Sequence, residues 1–330
     1  MVENTKGLSV EKRKAILEEM VNGEALKKDM VRKTALYPKH FEGYLRRAEV
    51  TDALKVGSDK EGGYLVPDEM EKKLVKAMEN KGVVRKLANV FKTENLLRIP
   101  GVSSHGTAHW IEEGGEMIFE DEQFYQVIID AHKNGYITVV TEELLEDSGF
   151  DVEQHIVEIA GDKIGELEEE AFLTGDGNHK PHGLLLDAQV GTEAAEVTMD
   201  AALDLYFSLG QKYRENAVWL MSEEALRTLH KVKSAQGRNV WEEDATKQMP
   251  LKLLGKPVYT SDAMPDMEAG NCPIAFGDFS YFWIGDRGNR AIKRMSEIYA
   301  DRGMVGFRVT HRVDGRLVLP EAIKTLKIAS

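Results

Sequence analysis

The sequence of 330 residues predicts an α+β fold, and three observations carry that prediction. Residues 151–174 place Val152, Ile156, Ile159, Ala160, Ile164, Leu167 and Ala171 at steps of three, four or one, the period of a long helix with one apolar stripe. Before it, residues 90–141 break into short runs of β-branched and aromatic side chains divided by Gly and Asn, the pattern of strands and turns. After it, short helices and short strands alternate to the end of the chain. With 42% apolar residues the sequence can bury a sizeable core, and the length allows about two domains.

Taken in order, residues 1–55 form a charged helical segment. EKRKAILEEM and EALKKDMVRK read as two helices separated at Asn22-Gly23, with apolar content so low that the segment docks weakly or serves as a detachable arm. Residues 56–63, VGSDKEGG, are a linker by composition. Tyr64-Leu65-Val66-Pro67 opens a new element, and DEMEKKLVKAMENKGVVRKLA reads as a helix with Asp68 near its N-cap. Residues 96–99 are a short strand, while residues 124–131 and 136–141 read as a hairpin turning at Lys133-Asn134-Gly135. Between these lies SSHGTAHWIEEGGEMIFEDEQ, which alternates poorly and carries Gly106, Gly114, Gly115 and many charges. It reads as a long two-stranded loop projecting from the body, with a disordered insertion as the alternative.

Beyond the long helix, DAALDLYFSLGQKY is a helix and residues 217–221 a buried strand. Ser222 caps a helix reaching Lys233, and residues 236–249 are polar loop. Residues 258–260, 274–276 and 281–284 read as strands, and GFRVTHRVDGRLVLPEAIKTLKI as a hairpin about Asp314-Gly315 followed by one more strand.

The formal net charge is -13, which excludes nucleic-acid binding by bulk charge. The distribution is uneven: residues 112–170 hold 19 Asp or Glu against Lys133 and Lys163, and residues 281–330 hold 10 Lys or Arg against 5 acids. Either opposite-signed patches meet between copies of the chain, or the acids form a solvated face. Cys272 stands alone, so one chain has neither a disulfide framework nor a cysteine-based metal site. The opening MVENTKGLSVEKRK lacks an apolar core, and no apolar run approaches the roughly 18 residues of a membrane span. A soluble protein made in the cytoplasm is expected.

The fragments that carry chemistry elsewhere are here in the wrong context. Gly175-Asp176-Gly177 follows a helix where a phosphate loop would open one, and neither GxxxxGK[ST] nor GxGxxG occurs. A structural turn at Gly175, Asp176, Gly177, Pro181 and Gly183 is the expectation. His105 and His109 have the spacing of a helical metal pair, but Gly106 and Thr107 oppose a helix there. His179 and His182 straddle Pro181 in a turn. There is no GxSxG elbow. Glu153, Glu158, Asp162, Glu166, Glu168, Glu169 and Glu170 lie outside the apolar stripe and read as a solvated face. No catalytic residue, cofactor site or metal site is expected.

The order of the pieces does carry a resemblance. A charged helical segment, a linker, GGYLVP, a helix, a long hairpin loop and a long helix ending in TGDG are followed by Pro181-His182-Gly183, LLGKPVYTSDAMP and IAFGDFSYFWIGDR. Over roughly residues 55–330 this resembles the major capsid proteins of tailed bacteriophages with the HK97 fold. The resemblance implies an N-terminal arm at residues 56–100 and an extended β-hairpin loop at 101–132 that overlaps a neighbouring subunit. It implies a peripheral domain of 133–197 and 291–318 around a long spine helix, and an axial domain of 198–290 and 319–330. Pentamers and hexamers would tile an icosahedral shell around packaged double-stranded DNA, bound without sequence specificity and without a membrane. Portal, prohead protease or scaffolding protein would be the partners. The virion would be the final location, with assembly in the bacterial host cytoplasm.

A projecting loop without its own core must bury Trp110, Ile111, Met117, Ile118 and Phe119 elsewhere, and a neighbouring subunit is the expected place. Some family members cross-link their shells from a loop lysine to a neighbour's asparagine. Here no lysine occurs between Arg98 and Lys133, so no such covalent lock is expected. Residues 1–55 are a scaffold cleaved near residues 50–61, or remain attached beside a separate scaffolding protein; both stay open. An encapsulin-like protein compartment and a metal-dependent enzyme with an acidic cleft are the alternative readings.

Overall fold

The computed structural model describes residues 32, 36–56, 63–104, 123–147, 149–232 and 251–329, which cluster into two compact units. The first takes its residues from Met1–Ala77, Gly135–Gly161 and Asn289–Thr310, the second from Met78–Asn134, Asp162–Gly288 and His311–Ser330.

In the first unit the helix Tyr37–Arg47 buries Tyr37, Phe41, Tyr44 and Leu45. Tyr44 meets Tyr64 edge-on with ring centroids 4.6 Å apart, and Tyr37 stacks on Phe41 at 6.3 Å. Polar contacts tie the packing down. The Tyr37 hydroxyl donates to the Leu65 carbonyl at 2.9 Å, and the Arg294 backbone N–H donates to the Tyr44 hydroxyl at 2.7 Å. Buried Arg32 donates to the Val66 carbonyl at 2.8 Å and pairs with Glu71, which Arg290 also reaches at 3.2 Å. The weak docking predicted for residues 1–55 therefore fails at residues 36–47. Composition averaged over the whole segment hides a short stripe of three aromatic rings and a leucine, each side chain contributing about 1.5–3 kcal/mol on burial. The strand Tyr64–Leu65 pairs antiparallel with Ala291–Met295, which pairs in turn with residues 306–310 of the strand Met304–Leu317.

In the second unit, residues 313–317 of that same strand pair antiparallel with Phe282–Arg287, and Phe282–Arg287 pairs parallel with Asn89–Thr93. A separate six-stranded sheet runs in the order Gln189–Ala194, Ile323–Ile328, Ile274–Gly277, Val218–Met221, Lys256–Thr260, Lys252–Leu253. Its core is aromatic: Trp219 stacks on Phe276 at 4.1 Å, and the indole N–H donates to the Leu253 carbonyl at 3.0 Å. The helix Met199–Ser208 packs over the first two strands of this sheet, and Ser222 caps the helix Glu223–His230 by accepting the Ala225 N–H.

Three predicted elements form differently. Residues 124–131 and 136–141 do not make a hairpin. Gln123–Ile129 returns antiparallel beside Leu97–Ser104, with Ile129 opposite Leu97, while His132–Thr141 joins the strand Met304–Leu317. Lys133-Asn134-Gly135 thus lies inside a strand, its turn chemistry overridden by a non-local pairing. The helix predicted over residues 68–88 is two helices, Asp68–Lys81 and Val84–Leu87, because the Glu169 carboxylate accepts the Val84 N–H at 3.0 Å and starts the second one. Finally, Asp314-Gly315 is no turn, since Met304–Leu317 is one continuous strand. Glycine serves packing there: a Cβ on Gly315 would lie 2.9 Å from the Phe172 ring and 3.0 Å from that of Phe282. Gly315→Ala is expected to cost about 1–3 kcal/mol by overpacking, read as a lowered denaturation midpoint with unchanged slope.

Candidate functional site

The acidic side of the helix Val152–Thr174 departs most from the predicted solvated face. Glu158, Glu166 and Glu170 are exposed as expected, but Glu168 and Glu169 are each only 3% exposed, and Leu167 of the supposed apolar stripe faces out. A seven-residue count of acids cannot show which way the last turns of a helix face; the partners waiting in the second unit decide it.

Those partners come from four other segments. Arg85, on the helix Val84–Leu87, donates through Nε to Glu168 at 3.1 Å and forks onto Asp286 at 3.0 and 3.1 Å. His311, from the strand Met304–Leu317, places Nδ1 3.1 Å from Glu168 and Nε2 3.5 Å from Asp286. Asn134 donates at 2.9 Å to Oε1 of Glu168, the oxygen His311 faces, leaving Oε2 to Arg85. Burial by itself pushes the Glu168 carboxyl up, but the Arg85 charge and the His311 contact overcome it and hold the group at about 2. Arg85 is likewise lowered by burial and raised more strongly by its two carboxylates. Glu169 differs. Burial raises it, and the Ser261 hydroxyl at 2.8 Å and the Val84 N–H only partly offset that.

A second polar knot lies at the root of the two-stranded arm. Asp314 accepts the Asp130 N–H at 2.7 Å and the Gly315 N–H at 2.8 Å, and Arg287 pairs with Asp130 at 3.1 Å. The Tyr125 hydroxyl bonds the Val318 carbonyl. Burial raises the Asp314 carboxyl, with those two N–H groups and then His132 pulling it back.

The turn after the long helix closes on itself. The Gly175 N–H donates to Ala171 at 3.0 Å, Gly177 to Pro181 at 3.3 Å, Asn178 to the Asp176 carboxylate at 3.0 Å, His182 to Gly315 at 3.3 Å and Gly183 to Gly175 at 2.8 Å. These five N–H donors, of the kind a phosphate loop would point at an anion, are committed within the protein. A Cβ on Gly175 would sit 2.2 Å from the Pro181 carbonyl oxygen, so nothing larger than glycine allows the closure. His182 bonds Asp187 at 2.8 Å, and His179 is exposed.

These arrangements hold segments together; the ionic cluster is too dry to admit a substrate. Among the described residues no group of three or more His, Cys, Asp or Glu could hold a metal. The candidate contact residues Trp110, Ile111, Met117, Ile118 and Phe119, and the histidines His105 and His109, lie outside the described residues. Sequence reasoning missed Arg85, Asp286 and His311. Their one signal is a charged or titratable residue among apolar neighbours, in VVRKLA, FWIGDR and FRVTHRV, each of which carries further charges as well.

Glu168→Gln is expected to cost about 3 kcal/mol at neutral pH, because it leaves buried Arg85 short of one charge partner. The folded value of Glu168 lies below its ordinary 4.5, so its contribution is complete above that value and is lost as pH falls from there toward about 2. Glu169 and Asp314, both raised, act with the opposite sign. Subtracting the variant's stability curve from the wild-type curve over acid pH isolates the Glu168 limb.

Comparison with known proteins gives one consistent answer. Residues 62–328 match the model of the Phage capsid family. The major capsid protein of Klebsiella oxytoca phage phiKO2 is 24% identical over 269 residues, an overlap of 74% of this chain; the chain spans 61% of that protein's length. Among solved structures, the capsid of a native GTA particle is 28% identical with a TM-score of 0.66, covering 75% of this chain and 90% of that one. Microbacterium phage Oxtober96 supplies another, 15% identical with a TM-score of 0.58, covering 75% and 91%.

Proposed function

Because the chain belongs to the phage capsid family and has an HK97-like α+β fold, we propose that it is the major structural subunit of a tailed-phage head. The family match over residues 62–328 is the observation that carries this reading. It takes in the two-stranded arm, the long helix and the six-stranded sheet. The subunits assemble as pentamers and hexamers into an icosahedral shell around double-stranded DNA, which an acidic protein encloses without reading its sequence. Residues 198–290 and 319–330 form the axial domain, and residues 133–197 and 291–318 the peripheral one. Portal, prohead protease or scaffolding protein are the natural partners, and the virion is where the protein ends up after assembly in the host cytoplasm.

The internal chemistry supports a structural role. Its buried charges are paired with one another in a dry cluster, and the glycine turn spends its own donors. Shells repeat many modest contacts by symmetry, so rigid subunits with projecting elements are what assembly requires. The two-stranded arm Leu97–Ser104 and Gln123–Ile129 is one such element, and residues 101–132 carry the overlap onto a neighbour. The buried helix Tyr37–Arg47 favours a segment that stays docked over one that is shed.

Electron microscopy of the expressed protein, alone or with its partners, is expected to show capsomers or closed shells. Deleting residues 104–122 is expected to leave a folded subunit that no longer closes shells. Shells of normal yield from the deletion variant would remove the arm's assigned role, and a protein that stays monomeric in every condition would remove the capsid reading.

A further inference from the structure

One turn in the second unit has a conformation its residue type does not favour. Lys252–Leu253 and Lys256–Thr260 pair antiparallel across a two-residue connection, Leu254-Gly255. Leu254 has φ +49° and Gly255 φ +77°. A bulky side chain in the left-handed region is strained, and Asn or Gly would make the same turn freely. Within the subunit the strained side chain is only partly covered, Leu254 remaining 39% exposed. A strained residue that leaves apolar surface in water points to a use for that surface outside the subunit. Beside the turn, Lys252 is exposed, while Lys256 is anchored by donating to the Glu215 carbonyl at 2.8 Å.

At the other edge of the same sheet, the helix Met199–Ser208 lies over Gln189–Ala194 and Ile323–Ile328. Its outward stripe is Asp200, Leu203, Asp204 and Phe207, all exposed and spaced to fall on one face. Phe207 is 61% exposed yet held in place, with Tyr206 edge-on at 5.3 Å and the Arg214 guanidinium 5.3 Å from its ring. An apolar anchor flanked by two carboxylates on one edge thus matches an apolar tip flanked by an ammonium on the other.

We propose that the Leu254 tip of one copy, with Lys252, docks on the Leu203–Phe207 face of a second copy, with Asp200 and Asp204 receiving the lysine. This rests on the capsid reading and gives it a specific contact. Two different patches at opposite edges of one sheet make a heterologous, head-to-tail interface, which closes into a ring when the rotation allows. The pre-ordered Phe207 and the tight turn lose little freedom on contact. The lysine and the two carboxylates set register and exclude the reversed pairing.

The test uses full-length protein, native mass spectrometry and negative-stain microscopy. Leu254→Gly is expected to melt at or above the wild-type temperature, since glycine relieves the turn, yet to give roughly tenfold fewer rings, the loss of one central contact. Lys252→Asp and Asp204→Lys are each expected to lower ring yield, and the double variant to recover it. If wild-type protein forms rings and Leu254→Gly forms them equally well, or the charge swap recovers nothing, this contact is refuted and the capsid reading stands. If wild-type protein never leaves the monomeric state, both fall.

Discussion

The buried pairing of Arg85 with Glu168 and Asp286 is the constraint on which the second unit depends. Taking such charges out of water costs several kcal/mol each, and attraction repays this only where geometry and hydrogen bonding are complete. Completion here requires the helix Val84–Leu87, the end of the long helix, the strand Phe282–Arg287, His311 and Asn134 all in one arrangement. A hydrophobic cluster of equal volume could slide by a fraction of a turn and lose little. The ionic cluster cannot. Its contribution is less to net stability than to singling out one packing.

This cluster and the second knot at Asp314 together hold the base of the two-stranded ribbon. Asn134 belongs to the strand leaving the arm, and Asp314, on the strand that carries His311, takes the N–H of Asp130 at the arm's root. The base of the ribbon is therefore tied to the unit by polar contacts from both of these strands. Apolar packing acts with it: Val127 and Ile129 of the ribbon are buried, Ile129 beside Gly285 of the strand Phe282–Arg287.

Much of this was legible in the residues. The long helix announced itself by period, the strand at Val218–Met221 and the Ser222 cap by composition, and the family by the order of short motifs. What misled were dipeptides with two physical uses. Asn134-Gly135 and Asp314-Gly315 have turn chemistry, yet one lies in a strand beside a non-local partner and the other clears space for Phe172. The buried face of Glu168 and Glu169 was illegible for a different reason. Whether a carboxylate faces water depends on a cation more than 80 residues away in sequence, as Arg85 is from Glu168. Local periodicity contains no term for that. The docked helix Tyr37–Arg47 was lost to averaging, its aromatic residues diluted by the charges before them.

The closed turn at Gly175 has a consequence on the evolutionary scale. A Cβ there would meet the Pro181 oxygen at 2.2 Å, and one on Gly183 would meet the Gly175 nitrogen at 2.5 Å, backbone against backbone. No neighbouring side chain can shrink to compensate, so no second substitution rescues the first. Surface charges, loop lengths and even paired ions can drift together in lineages that no longer look alike. A clash between main-chain atoms cannot drift, and these two glycines should be among the last letters such lineages still hold in common.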